Sequence, residues 1–151
     1  MSGRAAIVAG MLAVTLVNSA GAQSISNTRA LAFGELAAGA TLGTAVVTPA
    51  GTRTLTGGVT PGNSGGVTSA SFTVSGIPLF TYSISLPGSA VLTAGANTMT
   101  VDTFTSNPSG TGQLQLIIGT QVLTVGATLR VGASQNSGSY SGTFNVTVVY
   151  N

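Results

Sequence analysis

Apolar and polar residues alternate with a period of two through most of the sequence, in short runs. The clearest run ends the chain, where Phe144, Val146, Val148 and Tyr150 fall on one face and mostly polar residues fall between them. Successive side chains of a strand point to opposite faces of its sheet, so this pattern predicts a half-buried strand over residues 138–151. A strand with one clean apolar face needs a partner sheet to cover that face.

Similar runs recur along the chain and predict further short strands. We place them at residues 31–34, 44–48, 52–60, 70–74, 80–86, 91–93, 99–103, 114–118, 122–125 and 129–131. Clusters of Gly, Pro, Asn and Ser at residues 60–66 and 107–110 predict turns between them. Strands spaced by about eight to twelve residues are typical of an all-β sandwich or barrel. We favour a sandwich of about seven to nine strands.

The first 22 residues have the pattern of a signal peptide. Arg4 supplies a positive charge, residues 5–17 are apolar, and Ala20-Gly21-Ala22 has the small-x-small pattern of a cleavage site. We therefore expect cleavage before Gln23, export to the periplasm, cell surface or medium, and one β-sandwich domain over residues 23–151. A retained anchor is the weaker alternative, because a membrane-spanning helix needs about 20 apolar residues and no later run is long enough.

Composition excludes most catalytic and metal-binding chemistry. The chain has no Cys, His or Trp, and its six charged residues are four Arg, Glu35 and Asp102. Zinc therefore lacks its usual ligands, and a serine nucleophile lacks an imidazole or amine base. We predict no enzyme, no cofactor and no metal site. A hydrolase that uses Glu35 and Asp102 as an acid and base pair is a remote alternative to two unrelated surface or loop acids.

The few positive charges predict no nucleic-acid partner, since no basic cluster is present to contact phosphates. Arg53 and Arg130 are most simply explained as solvated strand residues. The absence of Lys has a further consequence, because soluble β proteins commonly protect exposed sheet edges with charged side chains. Either the edges are covered within one subunit, or pairing between chains is the function. The terminal strand is a candidate for such strand addition.

Five short segments, taken in order, resemble the bacterial family called domain of unknown function 4402. They are LAFG at 31–34, TYSISL at 81–86, NTMTV at 97–101, VGATL at 125–129 and the ending from Gly138 to Tyr150. The layout is also similar to the spore coat U-like subunits of archaic chaperone-usher pili. Pilins of the chaperone-usher class typically have a penultimate aromatic residue, here Tyr150, and a glycine fourteen residues from the end, here Gly138.

This resemblance implies an immunoglobulin-like sandwich that lacks its last strand. In that class a periplasmic chaperone, and later a neighbouring subunit delivered by an outer-membrane usher, fills the resulting groove. The residues that would line or flank the groove here are Gly138, Tyr140, Phe144, Val146, Val148 and Tyr150. Residues 23–30 contain only one large apolar residue, Ile25, so we expect the chain to accept a strand rather than to donate a strong one.

We therefore expect an exported, non-enzymatic structural or adhesive protein, a pilin-like fimbrial subunit that self-associates at the bacterial surface. A self-contained secreted sandwich that binds a glycan or a protein is the main alternative. These two hypotheses differ in whether residues 23–151 form a complete fold.

Overall fold

The structure, a computed structural model, describes residues 6–17 and 24–151, and for residues 6–17 it describes the backbone. This part of the chain contains fourteen strands and no helix. The strands are β1 (Ala6–Val17), β2 (Ser24–Arg29), β3 (Leu31–Ala37), β4 (Gly43–Val47), β5 (Arg53–Gly57), β6 (Thr60–Pro61), β7 (Val67–Thr68), β8 (Ala70–Ser75), β9 (Thr81–Ser85), β10 (Ser89–Ala94), β11 (Asn97–Asn107), β12 (Thr111–Gln113), β13 (Thr120–Val131) and β14 (Gly138–Tyr150). The predicted cleavage site before Gln23 lies outside the described residues.

Alternation of apolar and polar residues decides which face each strand buries. In β8, Ala70, Phe72 and Val74 are buried, while the Ser and Thr residues between them are half-buried. Strand β4 follows the same rule with Ala45 and Val47 buried. The β-branched residues of these runs suit a pleated surface, because their restricted side chains pack well against neighbouring strands.

The strands form one hydrogen-bonded sheet that folds over on itself. Its main order is β2-β8-β13-β11-β10-β14-β1-β3-β6, so three strands separate β8 from β14. A flat sheet would place those two strands roughly 19 Å apart, at about 4.8 Å per step. Yet the rings of Phe72 in β8 and Phe144 in β14 lie 6.5 Å apart, edge to face. The sheet therefore forms two facing layers around one core.

The longest strands connect the layers. The first half of β13 pairs with β8, its second half pairs with β4, and β11 lies along its other edge. Strand β14 pairs with β1 along one edge and with β10 and β9 along the other. Each long strand thus takes part in several ladders, and the apolar faces of all of them meet in one buried cluster.

The all-β, sandwich-like fold is confirmed, although the strands are more numerous and differently divided than predicted. Several of the fourteen are pairings of two or three residues, such as β6, β7 and β12. The predicted strands at 122–125 and 129–131 are one continuous strand, β13, because its two halves pair with different neighbours on the same edge. Residues 60–61, predicted as part of a loop, pair with β3.

The strand predicted at residues 114–118 is wrong. Strand β12 ends at Gln113, and a tight turn follows in which the Gly119 amide donates to the Gln115 carbonyl at 3.0 Å. Leu114 is buried, but Leu116 and Ile118 are 66% and 63% exposed. The apolar alternation here therefore belongs to a protruding loop and not to a half-buried strand.

Candidate strand-binding site

The predicted strand-addition residues all lie in β14, and most of them form a single buried row. Tyr140, Phe144, Val146 and Val148 are between 0% and 3% exposed, while the intervening residues are mostly exposed. Tyr150 is half-buried at the end of the strand. The sequence therefore identified the inward face of β14 correctly, although burial alone does not make it a binding site.

Strand β1 lies along the edge of β14 that faces away from β9 and β10. The two strands run parallel in an unbroken register of eleven pairs, from Ile7 opposite Gly138 to Val17 opposite Val148. On its other side β1 pairs antiparallel with β3, from Ala6 opposite Ala37 to Met11 opposite Leu31. We call the space between the edges of β3 and β14, which β1 occupies, the slot.

The β3 wall of the slot is as apolar as the β14 wall. Leu31, Phe33 and Leu36 are fully buried. Between them the register of β1 against β3 shifts at a bulge, where Gly34 has a φ of +75°. A methyl group at Gly34 would lie 2.8 Å from Nη1 of Arg53, so both the backbone conformation and the close approach require glycine there. The sequence detected this apolar run but not that it faces β14, because only the topology brings β3 and β14 to either side of β1.

The start of β14 is fixed by its tyrosine. Tyr140 Oη donates a hydrogen bond of 2.7 Å to the carbonyl of Asn136, four residues upstream. The side-chain amide of Gln135 donates from Nε2 to the same hydroxyl at 2.9 Å. Immunoglobulin-like sandwiches have such a tyrosine corner near the start of strand F, where the hydroxyl bonds to the backbone a few residues upstream.

The end of β14 is fixed by its last aromatic residue. The backbone amide of Ile77 donates to Tyr150 Oη at 2.9 Å, and the ring of Tyr150 meets that of Phe80 edge to face at 5.6 Å. Phe80 begins the strand predicted at residues 80–86, but it precedes the first residue of β9 and is 45% exposed. The β1 ladder ends at Val148, so Tyr150 flanks the slot and does not line it.

Comparison with protein-family models identifies the family of this chain. The family described as Domain of unknown function (DUF4402) matches residues 23–150. The chain belongs to this family. No curated protein matches the sequence. The match begins where the predicted signal peptide ends and covers every strand from β2 to β14.

The two carboxylates of this DUF4402 chain have separate partners. Glu35 accepts hydrogen bonds from the backbone amide of Ser64 at 2.7 Å and from the hydroxyl of the same serine. Asp102 accepts from Nε of Arg130 at 3.0 Å and forms an ion pair with it. Those bonds lower the pKa of each carboxyl below its ordinary value. Within the described residues no hydrogen bond or ion pair joins the two acids.

The charged residues lie in strands and make contacts that the sequence did not predict. Glu35 and Asp102 lie in strands β3 and β11, and Asp102 falls within the strand predicted at residues 99–103. Arg53 is not merely solvated, since its Nη1 donates to the Phe33 carbonyl at 2.7 Å and thereby holds β3 at its bulge. Arg130 is an exposed strand residue of β13, as predicted, and it also forms an ion pair with Asp102. A sequence pattern does not reveal such contacts, because the partners are separated by 18 or more residues in the chain.

Other surface features are a cavity and an apolar loop. A cavity of about 510 Å³ opens beside Arg130 and Gln135, over the buried Met99. At another place on the surface, Leu116, Ile117 and Ile118 protrude beside Ile77 and Leu79. The described residues include no group of three His, Cys, Asp or Glu side chains that could hold a metal ion. They also include no helix long and apolar enough to cross a membrane.

Proposed function

We propose that this chain is an exported, pilin-like structural subunit of the bacterial surface whose sandwich is completed by a strand added to the slot. One observation carries the proposal: the strand between β3 and β14 consists of residues 6–17, which belong to the segment we expect to be removed on export. Removal of that segment separates the edges of β3 and β14 by the width of one strand. The mature chain then requires a replacement.

The tyrosine corner supports this assignment. In immunoglobulin-like sandwiches strand F has strand C on one edge and the last strand, G, on the other. The tyrosine corner at Tyr140 makes β14 the counterpart of strand F. Strands β9 and β10 lie along the edge of β14 that strand C would occupy. Strand β1 therefore occupies the position of strand G. This is the position that the resemblance to chaperone-usher pilins implies is filled by another chain.

The chemistry of the slot also supports strand addition. Without β1, the edge of β14 would present unpaired backbone groups beside the apolar side chains of Tyr140, Phe144 and Val146. Unpaired edges recruit other strands unless charges or prolines interrupt them. Residues 138–151 contain no charged residue and no proline. Main-chain hydrogen bonds would supply affinity, and alternate apolar side chains would supply specificity.

The partners that fit this role are a periplasmic chaperone, an outer-membrane usher and a second subunit. Residues 24–29 do not serve as a strong donor strand, since they form β2 and pair with β8 in the same chain. The chain is thus proposed as an acceptor, and its contribution to the surface is structural or adhesive and not catalytic. Genes for a chaperone and an usher beside its own gene would favour this role.

The deciding experiment compares residues 23–151, purified without any partner, with the same chain supplied with a strand-donating chaperone or peptide. We expect residues 23–151 alone to melt broadly or to polymerise, and a bound strand to restore a sharp transition. A stable monomer with a sharp transition would overturn the proposal and would favour the self-contained secreted module that binds a glycan or protein ligand.

A further inference from the structure

The identities of the residues paired between β1 and β14 show a regular relation of size. Pairs that lie in register on two neighbouring strands share one face of the sheet. On the face that β14 buries, the first four pairs are Ile7 with Gly138, Ala9 with Tyr140, Met11 with Gly142 and Ala13 with Phe144. In each pair one residue is large and its partner is glycine or alanine.

This alternation then gives way to pairs of similar size. Thr15 lies opposite Val146, and Val17 opposite Val148. None of the six pairs therefore places two large side chains opposite each other, and none places two small ones opposite each other. Protein cores are packed as densely as organic crystals, so a large residue of one strand leaves room only for a small residue opposite it. A segment with large residues opposite Tyr140 and Phe144 would overfill the layer at these two positions.

The neighbouring strand β10 restricts the size of the residues at Gly138 and Gly142 of β14. A methyl group at Gly142 would meet the backbone carbonyl of Val91 and lie 3.1 Å from Cδ2 of Leu92, both in β10. A methyl group at Gly138 would lie 3.0 Å from Cβ of Ala94. Because β10 excludes a side chain at Gly142 and crowds one at Gly138, a large side chain in these two pairs can come only from the strand that fills the slot.

We propose that residues 6–17 are a size-matched ligand for the slot of their own chain. Before processing they close the sandwich in cis, and after processing the slot selects strands with the same pattern. That pattern, in a strand parallel to β14, is a large residue opposite Gly138 and Gly142 and a small residue opposite Tyr140 and Phe144. This inference rests on the proposed function and adds to it the ligand's size pattern and a closed precursor state.

The test in cis uses the chain of residues 1–151, made by cell-free translation so that no peptidase removes the leader. The key variant exchanges sizes without changing composition: Ile7→Ala, Ala9→Ile, Met11→Ala and Ala13→Met. A matched control exchanges two residues of the other face, Leu12→Val and Val14→Leu. We expect the intact chain and the control to be monomers with a sharp thermal transition. The size-exchanged chain should melt about 5–10 °C lower.

The test in trans uses residues 23–151 refolded with peptides of residues 6–17 that carry three added lysines after residue 17 for solubility. The wild-type peptide should bind at least about tenfold more tightly than the size-exchanged peptide. This comparison decides the matter if the intact chain aggregates. Equal binding of the two peptides would overturn the inference.

The outcomes separate this inference from the function on which it rests. If residues 23–151 accept a strand but do not discriminate between the two peptides, the slot is not size-selective, and the proposed function stands alone. If residues 1–151 are no more stable than residues 23–151, the leader does not close the slot. If residues 23–151 are already a complete and stable monomer, the proposed function and this inference are both wrong.

Discussion

Tyr140 Oη donates a hydrogen bond to the Asn136 carbonyl across the turn that leads into β14. The same hydroxyl accepts a bond from Gln135, whose Nε2 also donates to the Thr98 carbonyl of β11 at 3.2 Å. One buried phenol thus connects the start of β14 to the turn before it and, through Gln135, to β11. Because β14 forms one wall of the slot, this connection sets where the wall begins.

Replacement of Tyr140 by Phe should therefore destabilise the fold without changing its core packing. The ring stays, but the Asn136 carbonyl and the Gln135 amide lose a partner near a buried site. We expect the free energy of unfolding of residues 1–151 to fall by about 1–3 kcal/mol. Urea denaturation monitored by circular dichroism would measure this, with an unchanged slope against denaturant concentration.

Ser139→Ala is the matched control for that variant, because Ser139 is the exposed neighbour of Tyr140 in the same strand. Its effect should stay within about 0.5 kcal/mol. A loss for Ser139→Ala as large as that for Tyr140→Phe would show that the strand and not the hydroxyl is sensitive.

The period-two pattern was sufficient to predict the fold class and the inward face of β14. It worked there because Phe144, Val146 and Val148 lie in a strand whose one face meets the core along its whole length. The pattern failed at residues 114–118, where the same alternation occurs in a loop that turns back at Gly119. Apolar alternation depends only on the order of residue types along the chain. The backbone reversal at residues 114–119 depends instead on hydrogen bonds to residues 76–80, which the local pattern does not contain.

The other wall of the slot could not be predicted from the sequence. Leu31, Phe33 and Leu36 were recognisable as an apolar run, but nothing local indicates that they stand across from β14. Likewise, the apolar stretch at residues 5–17 was interpreted only as part of an expected signal peptide, and the pairing of β1 with β14 and β3 emerges only from the register. Sequence separation of more than a hundred residues between β1 and β14 removes any short-range signal.

The free energy of unfolding should fall at alkaline pH because the buried phenol of Tyr82 must ionise. Its side chain is fully buried, and its Oη donates to Oε1 of Gln121 at 2.5 Å. Burial disfavours the phenolate and raises the pKa of Tyr82 to about 12. The unfolded chain has an ordinary tyrosine pKa of about 10, so the contribution is complete below pH 10 and is lost as the pH rises towards 12. We expect a loss on the order of 2 kcal/mol across that range.

Urea midpoints measured between pH 8 and pH 12 would test this dependence, with Tyr82→Phe as the comparison. The variant starts from a lower stability at pH 8, because Gln121 loses its donor, but its midpoint should vary less above pH 10. Parallel curves for the two proteins would contradict the assignment to Tyr82.

Replacing both acids by amides, Glu35→Gln with Asp102→Asn, should leave strand acceptance intact. Neither carboxylate belongs to the slot-facing rows of buried side chains, and each is held by its own local partners. Because hydrogen bonds lower the pKa of both carboxyls in the folded chain, their contribution is present above about pH 4 and is lost at lower pH. The double variant should therefore show a weaker dependence of stability on pH below about pH 5.

The same double variant tests the hydrolase hypothesis. When both proteins are assayed on a panel of glycoside substrates, we expect no difference in turnover between the wild-type chain and the variant. Hydrolysis by the wild-type chain that the variant loses would establish a catalytic role for the pair and would contradict a purely structural function.

The loop after β12 offers two apolar residues with opposite expected behaviour. Leu114 is 1% exposed and belongs to the core cluster, whereas Ile117 is 89% exposed. Leu114→Ala should lower the free energy of unfolding by about 2–5 kcal/mol, because it removes buried methyl groups and leaves a cavity. Ile117→Asn should change it by less than about 0.5 kcal/mol, since almost no surface is uncovered. Denaturation curves of the two variants check this directly, and a large loss for Ile117→Asn would mean that the loop packs against something in the folded protein.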